Sequence, residues 1–295
     1  MRTLRTTSGP PIRAYGHISW SPRTNSRSTG MFRAPSPCPA TARAATRNGR
    51  PSTWPVARRD AVLARMEGDL LRAARLRELL GVPGQGFASA LAFRDKVRMK
   101  TLVRRSGLEV PEFAPVRVAF DLFGFVREHG YPVVVKPAFG SGSTGTQVLR
   151  GPADLDRLLA GGLPEHAEVE RFVEGPMYVV DGLVAAGVPV ATFVSRYLND
   201  CLSFRDGMYL GSAQLTRDHP LTDRLIGCAR RVLDALPTPP CTTFHLEVFH
   251  TPDDRLVLCE VGSRTGGALT APAIRAATAS TSTSSGSGPR PPPRA

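Results

Sequence analysis

Between Gly130 and Leu149 the chain reads GYPVVVKPAFGSGSTGTQVL, a stretch that few folds can accommodate. Pro132 to Lys136 is a β-branched run ending in a lysine, and Thr146 to Leu149 is a second short strand pattern. The connection Gly140, Ser141, Gly142, Ser143, Thr144, Gly145 holds no side chain larger than threonine. Its backbone N–H groups are free to converge on an anion, and Lys136 puts a point charge beside them. The physical reading is a phosphate lid between two strands. The same letters spell G-x-G-x-x-G, but a dinucleotide-binding turn must open a helix, and here strand residues continue until Gly151-Pro152 interrupts them. No Lys-Ser or Lys-Thr follows the glycines, which excludes a P-loop, and no H-R-D or D-F-G follows, which excludes a protein kinase.

The formal net charge of +13 suggests a polyanionic partner until it is located along the chain. Residues 1–59 carry eleven arginines and residues 271–295 three, with no acid in either, which leaves residues 60–270 at −1. Charge alone therefore gives no nucleic-acid partner to the core, and no basic patch interleaved with aromatics supports one. The ends are Arg-, Ser-, Pro- and Ala-rich and lack apolar periodicity, so both 1–59 and 277–295 are expected to be disordered. No apolar run reaches a membrane span, which argues against a membrane partner. Five cysteines at 38, 201, 228, 241 and 259 show no metal-binding spacing, so free thiols and a cytoplasmic location are expected. No feature sets an oligomeric state.

In chain order, Ala61–Leu80 predicts an amphipathic helix closed by Gly81 and Pro83, followed by a small-residue loop. Phe93–Ser106 predicts a second helix carrying Lys96 and Lys100 one turn apart. Only three of the 38 basic residues are lysines, and all three (Lys96, Lys100, Lys136) lie in segments expected to face a nucleotide. A compact ammonium and a guanidinium fork are not interchangeable, so this placement carries information. Strands are predicted at 115–120, 168–173, 178–185 and 188–197, with helices at 122–129, 152–160 and 220–236.

Residues 244–250 and 255–261 form an alternating pair of runs around Thr-Pro-Asp-Asp, a hairpin signal. With 251–254 as the loop, Glu247 faces Leu258 and Glu260 faces His245, and all four share one face. Leu246, Val248, Val257 and Cys259 then pack the other face. The two glutamates become diagonal neighbours, about 7–8 Å apart at the backbone. Like charges so placed call for a cation, and hard carboxylate oxygens suit Mg²⁺ bridging to phosphates. Arg264 follows in Gly-Ser-Arg-Thr-Gly-Gly, placed to grip an oxyanion.

Taken together, Asp95-Lys96 with Met99-Lys100, Pro132–Lys136 with the glycine loop, Val169–Gly175, His245-x-Glu247, and Glu260 with Arg264-x-Gly-Gly resemble the ATP-grasp superfamily, in order, over about residues 62–270. The likeness is to its carbamoyl-phosphate-synthetase-like and biotin-carboxylase-like branch and to the amino-acid ligases. It implies an α+β fold with two α+β subdomains and a nucleotide between them, and a domain division of 1–59, 60–90 (remnant of a preceding domain), 91–276 (the ATP-grasp domain) and 277–295. By the same resemblance Lys96, Lys136 and the 140–145 loop contact ATP phosphates. Glu170, Arg171, Phe172 and Val173 form the hinge that holds adenine, Glu247 and Glu260 carry Mg²⁺, and Arg264 holds a carboxylate or acyl phosphate. The implied activity is an ADP-forming ligation of a small-molecule carboxylate to an amine, the alternative being a module that binds ATP without ligation. Gly262 stands where many relatives have a metal-binding asparagine, and Met177 where many have an acid. Relatives have a folded domain before the first helix and further chain after Arg-x-Gly-Gly, so low-complexity ends imply an incomplete acceptor site.

Overall fold

The structure, a computed structural model, describes residues 60–199, 202 and 209–276. The terminal segments expected to be disordered lie outside the described residues. What remains is α+β, with two antiparallel sheets.

The first helix is shorter than its periodicity suggests. Glu67–Asp69 is a 3-10 turn and α1 spans Leu70–Leu80. Residues 61–65 are not helical, and Val62 O instead accepts a hydrogen bond from Arg77 Nε at 2.9 Å. Leu70, Ala73 and Ala74 are buried, whereas Leu63, Met66 and Leu79 are exposed, so only part of the expected stripe packs. The expected small-residue loop and second helix become two helices, α2 (Phe87–Arg94) and α3 (Lys96–Arg105). Asp95 is the break: it is extended, and its Oδ1 accepts from Val97 N at 3.0 Å and Arg98 N at 3.1 Å, capping α3. Alanines give α2 good helix propensity but little amphipathic contrast, which is why the pattern hides it.

The four-stranded sheet has the order β1-β4-β2-β3, with β1 Phe113–Val116, β2 Val133–Pro137, β3 Gln147–Leu149 and β4 Ala167–Arg171. The strand expected at 115–120 thus ends early, because Asp121 Oδ2 accepts from the backbone N–H groups of Arg117 and Val118 and starts α4 (Ala119–His129). Helix α5 (Pro152–Gly161) opens on its proline, which lacks an N–H to waste there. Val133, Val135, Val169, Leu122 and Leu155 belong to the core between this sheet and α4 and α5.

The five-stranded sheet has the order β7-β6-β5-β8-β9: β5 Met177–Ala185, β6 Val188–Tyr197, β7 Ser212–Gln214, β8 Thr242–His250 and β9 Leu256–Gly262. Helix α6 (Thr222–Ala235) buries Leu225, Ala229 and Val232 in the same core as Phe244, Leu246 and Val248. Helix α3 touches β1 of one sheet and β9 of the other, which carries its two lysines between them.

The glycine loop joins β2 to β3 as expected. Gly145 has φ +74°, and a Cβ there would lie 2.9 Å from Pro137 Cγ. Gly142 has φ +59° with nothing near it. Gly145→Ala is therefore expected to destabilise by about 1–3 kcal/mol, and Gly142→Ala by less, as read by urea denaturation of the two variants. Equal effects would show that the Pro137 contact is immaterial.

Candidate active site

The acidic hairpin folds with a register that alternation alone does not give. His250 pairs with Leu256 and Val248 with Leu258, but then a bulge shifts the ladder and Glu247 lies directly opposite Glu260. Leu258 consequently packs in the core beside Val248, and Cys259 turns to the glutamate side, its Sγ 4.0 Å from Lys136 Nζ. The expected faces for Val257, Leu258 and Cys259 are thus exchanged, Val257 lying opposite Phe249, and the glutamates are opposite rather than diagonal. They still share a face because the turn is one residue longer than expected and the extra bulge residue restores the parity.

Lys96, at the start of α3, donates from Nζ to Gly140 O at 2.9 Å and lies 3.0 Å from Glu260 Oε2. Its backbone N–H reaches Ala138 O at 3.1 Å, which ties α3 to the start of the glycine loop. Arg94 adds bonds to the carbonyls of Phe139 and Gly140 and lies 2.8 Å from Glu67 Oε1. Ser141, Gly142, Thr144 and Gly145 stand exposed, and Ser143 is half-buried.

Lys136 does not point freely at the loop. Its Nζ is 2.7 Å from Glu170 Oε1 and 3.7 Å from Glu168 Oε1. Lys100, expected to face the nucleotide, is fully buried and pairs with Glu168 at 2.7 Å and with Glu170. Two lysines and two glutamates thus form one buried cluster, in which Glu168 Oε2 has no hydrogen-bond partner among the described residues. Burial raises the pKa of Glu170, but Lys100 and Lys136 outweigh it and hold the carboxyl below its ordinary value. Burial disfavours the Lys136 charge, and Cys259 with the surrounding carboxylates outweighs it, raising its pKa well above the ordinary value. For Glu260 burial is again overcome, here by Lys96 and Lys136, and the pKa falls to about 2.

These depressed carboxylates contribute stability that is fully present above their ordinary value of 4.5 and is lost as pH falls through the lowered values, to about 2 for Glu260. Thermal melts should therefore move down between pH 4.5 and 2, and less so in Glu170→Gln. An identical acid profile for that variant would contradict the pairing.

At the other end of the pair, Tyr197 Oη donates to Glu247 Oε1 at 2.9 Å, and His245 Nε2 is 3.5 Å from the same oxygen. Arg264 follows β9 and donates through Nε to Glu67, which also holds Arg94. Glu67, Phe93, Lys96, His245, Glu260 and Arg264 line one small recess. A larger cavity of about 300 Å³ between β6 and α6, lined by Val190, Phe193, Ile226 and Phe244, contains none of these charged groups. Arg171, Phe172 and Val173 sit at the end of β4, in the passage to β5; the N–H groups of Arg171 and Phe172 bond to Glu112 O and Pro132 O at 2.9 and 3.1 Å.

Of the sequence candidates, Lys96, Lys136, Glu170, Glu260, Glu247 and Arg264 converge on the facing sides of the two sheets. Glu67, Glu168, Asp181 and Tyr197 join them without having been expected. Glu168 was readable as the residue two before Glu170 on the same strand face, whereas nothing local marks Glu67. Among the described residues no three or more His, Cys, Asp or Glu side chains gather to hold a metal alone. Glu247 and Glu260 supply two hard oxygen ligands, so water and phosphate oxygens would complete a Mg²⁺ shell, the usual way this ion is bound.

Residues 95–180 match the family model described as the carbamoyl-phosphate synthase L chain, ATP binding domain. The chain is 28% identical over 218 residues to an L-arginine-specific L-amino acid ligase of Bacillus subtilis, covering 70% of this chain and 52% of that protein. It is 30% identical over 213 residues to a D-alanine–D-alanine ligase of Frankia casuarinae, covering 65% and 53%. The chain therefore spans about half the length of these relatives. Among solved structures, an L-amino acid ligase from Bacillus licheniformis superposes with a TM-score of 0.60 at 22% identity, covering 70% of this chain and 50% of that one. The ADP complex of an N5-carboxyaminoimidazole ribonucleotide synthetase gives 0.58 at 23% identity, covering 70% and 54%.

Proposed function

We propose that this chain is an ATP-grasp protein, a reading supported by its match over residues 95–180 to an ATP-binding-domain model and by its likeness to two ATP-grasp ligases, and that it contributes the nucleotide and metal site of an ATP-dependent, ADP-forming carboxylate–amine ligase. The observation that carries the reading is that Lys96 bridges the glycine loop at Gly140 O and Glu260, which lies opposite Glu247, while Lys136 stands beside Cys259 on the same strand as Glu260 and is paired with Glu170. The ATP-grasp unit is assigned to residues 91–276, with 60–90 as the remainder of a preceding domain.

In this reading Lys96 and Lys136 neutralise phosphate charge, and the 140–145 loop closes over it with its backbone N–H groups. Both lysines then exchange a carboxylate partner for a phosphate, so the site starts electrostatically paired rather than exposed. The passage around Glu170–Val173 receives the adenine. Glu247 and Glu260 hold Mg²⁺, which would screen the triphosphate and draw charge from the phosphoryl group in transfer. Arg264 grips the carboxylate substrate or the acyl phosphate formed from it, from which an amine displaces phosphate. The protein's part is mostly placement and charge compensation. The two relatives matched in sequence are an L-amino acid ligase and a D-alanine–D-alanine ligase, so amino acids are the first carboxylates and amines to test.

The test incubates the full chain with Mg-ATP and pools of amino acids and other small carboxylates, singly and in pairs, following phosphate release and product masses. Carboxylate-dependent ADP and phosphate, with a new amide mass when the amine is supplied, is the expected result. AMP and pyrophosphate would overturn the acyl-phosphate route. Tight ATP binding with no carboxylate-dependent ADP would overturn the ligase in favour of a binding module.

A further inference from the structure

Asp181 and His245 are cross-strand neighbours on β5 and β8 and are both buried. His245 Nδ1 lies 2.8 Å from Asp181 Oδ1; since a carboxylate only accepts, Nδ1 carries the proton and donates. The Arg-Thr-Gly-Gly turn after β9 crosses over this pair. A Cβ on Gly266 would lie 2.7 Å from His245 Nδ1 and 2.8 Å from Asp181 Oδ1, so the backbone rests on the two side chains closely enough to exclude any other residue. Two further bonds fasten the turn to β8: Thr265 Oγ1 donates to Thr243 Oγ1 at 3.2 Å, and Thr242 Oγ1 to Ser263 O at 3.4 Å. Arg264 lies within this fastened segment, and its Nη1 donates to Thr265 O at 3.0 Å.

We propose that Asp181 and His245 are positioning residues, a buried strut that sets the height of the 263–267 turn and thereby aims Arg264 at the oxyanion beyond the acidic pair. The role of Arg264 rests on the ligase reading; the strut itself does not. A buried histidine and aspartate satisfying each other would suffice to stabilise the sheet, but that would not require a glycine pressed onto their bond. The contact makes the position of the turn depend on which donor occupies the Nδ1 site.

Two histidine replacements separate the functions of the ring nitrogens. Asparagine puts an amide nitrogen where Nδ1 stands and keeps the bond to Asp181, whereas glutamine puts it near Nε2 and leaves Asp181 without its donor. In amide hydrogen exchange on the full chain without nucleotide, H245Q and D181A should accelerate exchange across 263–267 by about 10-fold, the consequence of one lost buried hydrogen bond, and H245N by less than about threefold. Unchanged exchange in H245Q and D181A overturns the strut, as does acceleration in H245N equal to that in H245Q. The functional arm titrates inorganic phosphate into the Mg-ADP-loaded protein by calorimetry, with R264Q as reference. H245Q and D181A should weaken phosphate about 10-fold, as R264Q does, each variant being titrated at a Mg-ADP concentration that saturates it. Phosphate binding that R264Q loses and the other two keep would overturn the aiming of Arg264. Failure of the unsubstituted protein to bind Mg-ADP would refute the nucleotide reading instead, and the exchange experiment would still decide the strut.

Discussion

Lys136→Ala is expected to abolish Mg-ATP binding in calorimetry and to destabilise the fold by about 3–5 kcal/mol, because it takes one cation from a buried cluster and leaves Glu168 and Glu170 sharing Lys100 alone. The two effects are separable. Lys136→Arg keeps the charge, so it should recover part of the stability, yet it should restore little nucleotide affinity. A planar fork in place of a compact ammonium cannot turn from Glu170 to a phosphate in the same space. Denaturation curves and calorimetry on the two variants together decide the point. Unchanged ATP affinity in the alanine variant would remove Lys136 from the nucleotide site, and full recovery of affinity by arginine would show that only charge matters there.

Glu247→Gln and Glu260→Gln are each expected to lower Mg²⁺-dependent ADP formation by about two orders of magnitude or more, since each removes a formal charge from the opposed pair while keeping its shape. The variants should differ in one respect. Glu260 also pairs with Lys96 at 3.0 Å, so its replacement leaves that ammonium free for phosphate, whereas Glu247 is held by Tyr197 and approached by His245. Glu260→Gln should therefore weaken Mg²⁺ dependence with little loss of ATP affinity, while Glu247→Gln loses metal response without that compensation. The measurement is ADP formation across a Mg²⁺ titration beside nucleotide binding at fixed metal. Normal turnover in both variants would mean that the acidic face serves no metal.

Much of this arrangement is written in local order. The β-branched run to Lys136, the glycines after it, the scarcity of lysine elsewhere, and the alternating runs around Thr251–Asp254 already specify two hairpins bearing complementary charge. Period-two alternation is a property of each strand alone, so it places Glu247 and Glu260 on a strand face without knowledge of the partner. It cannot place a bulge. The ladder shift between Glu247 and Val248 depends on how Leu258 and Val261 both find the core, and only packing decides that. The same limit hid the division of α2 from α3, since the Asp95 cap interrupts a pattern whose apolar spacing continues past it.

Partners in charge pairs were the least legible feature. The sequence by itself determined which charged groups occur and along which elements they lie. The tertiary structure decided that Lys100 sinks beneath Lys136, that Glu67 reaches Arg94 and Arg264, and that a glycine turn rests on Asp181 and His245. These pairs join residues from 27 to 197 positions apart, and a buried charge accepts whichever opposite charge the packing of two sheets and one helix brings within reach.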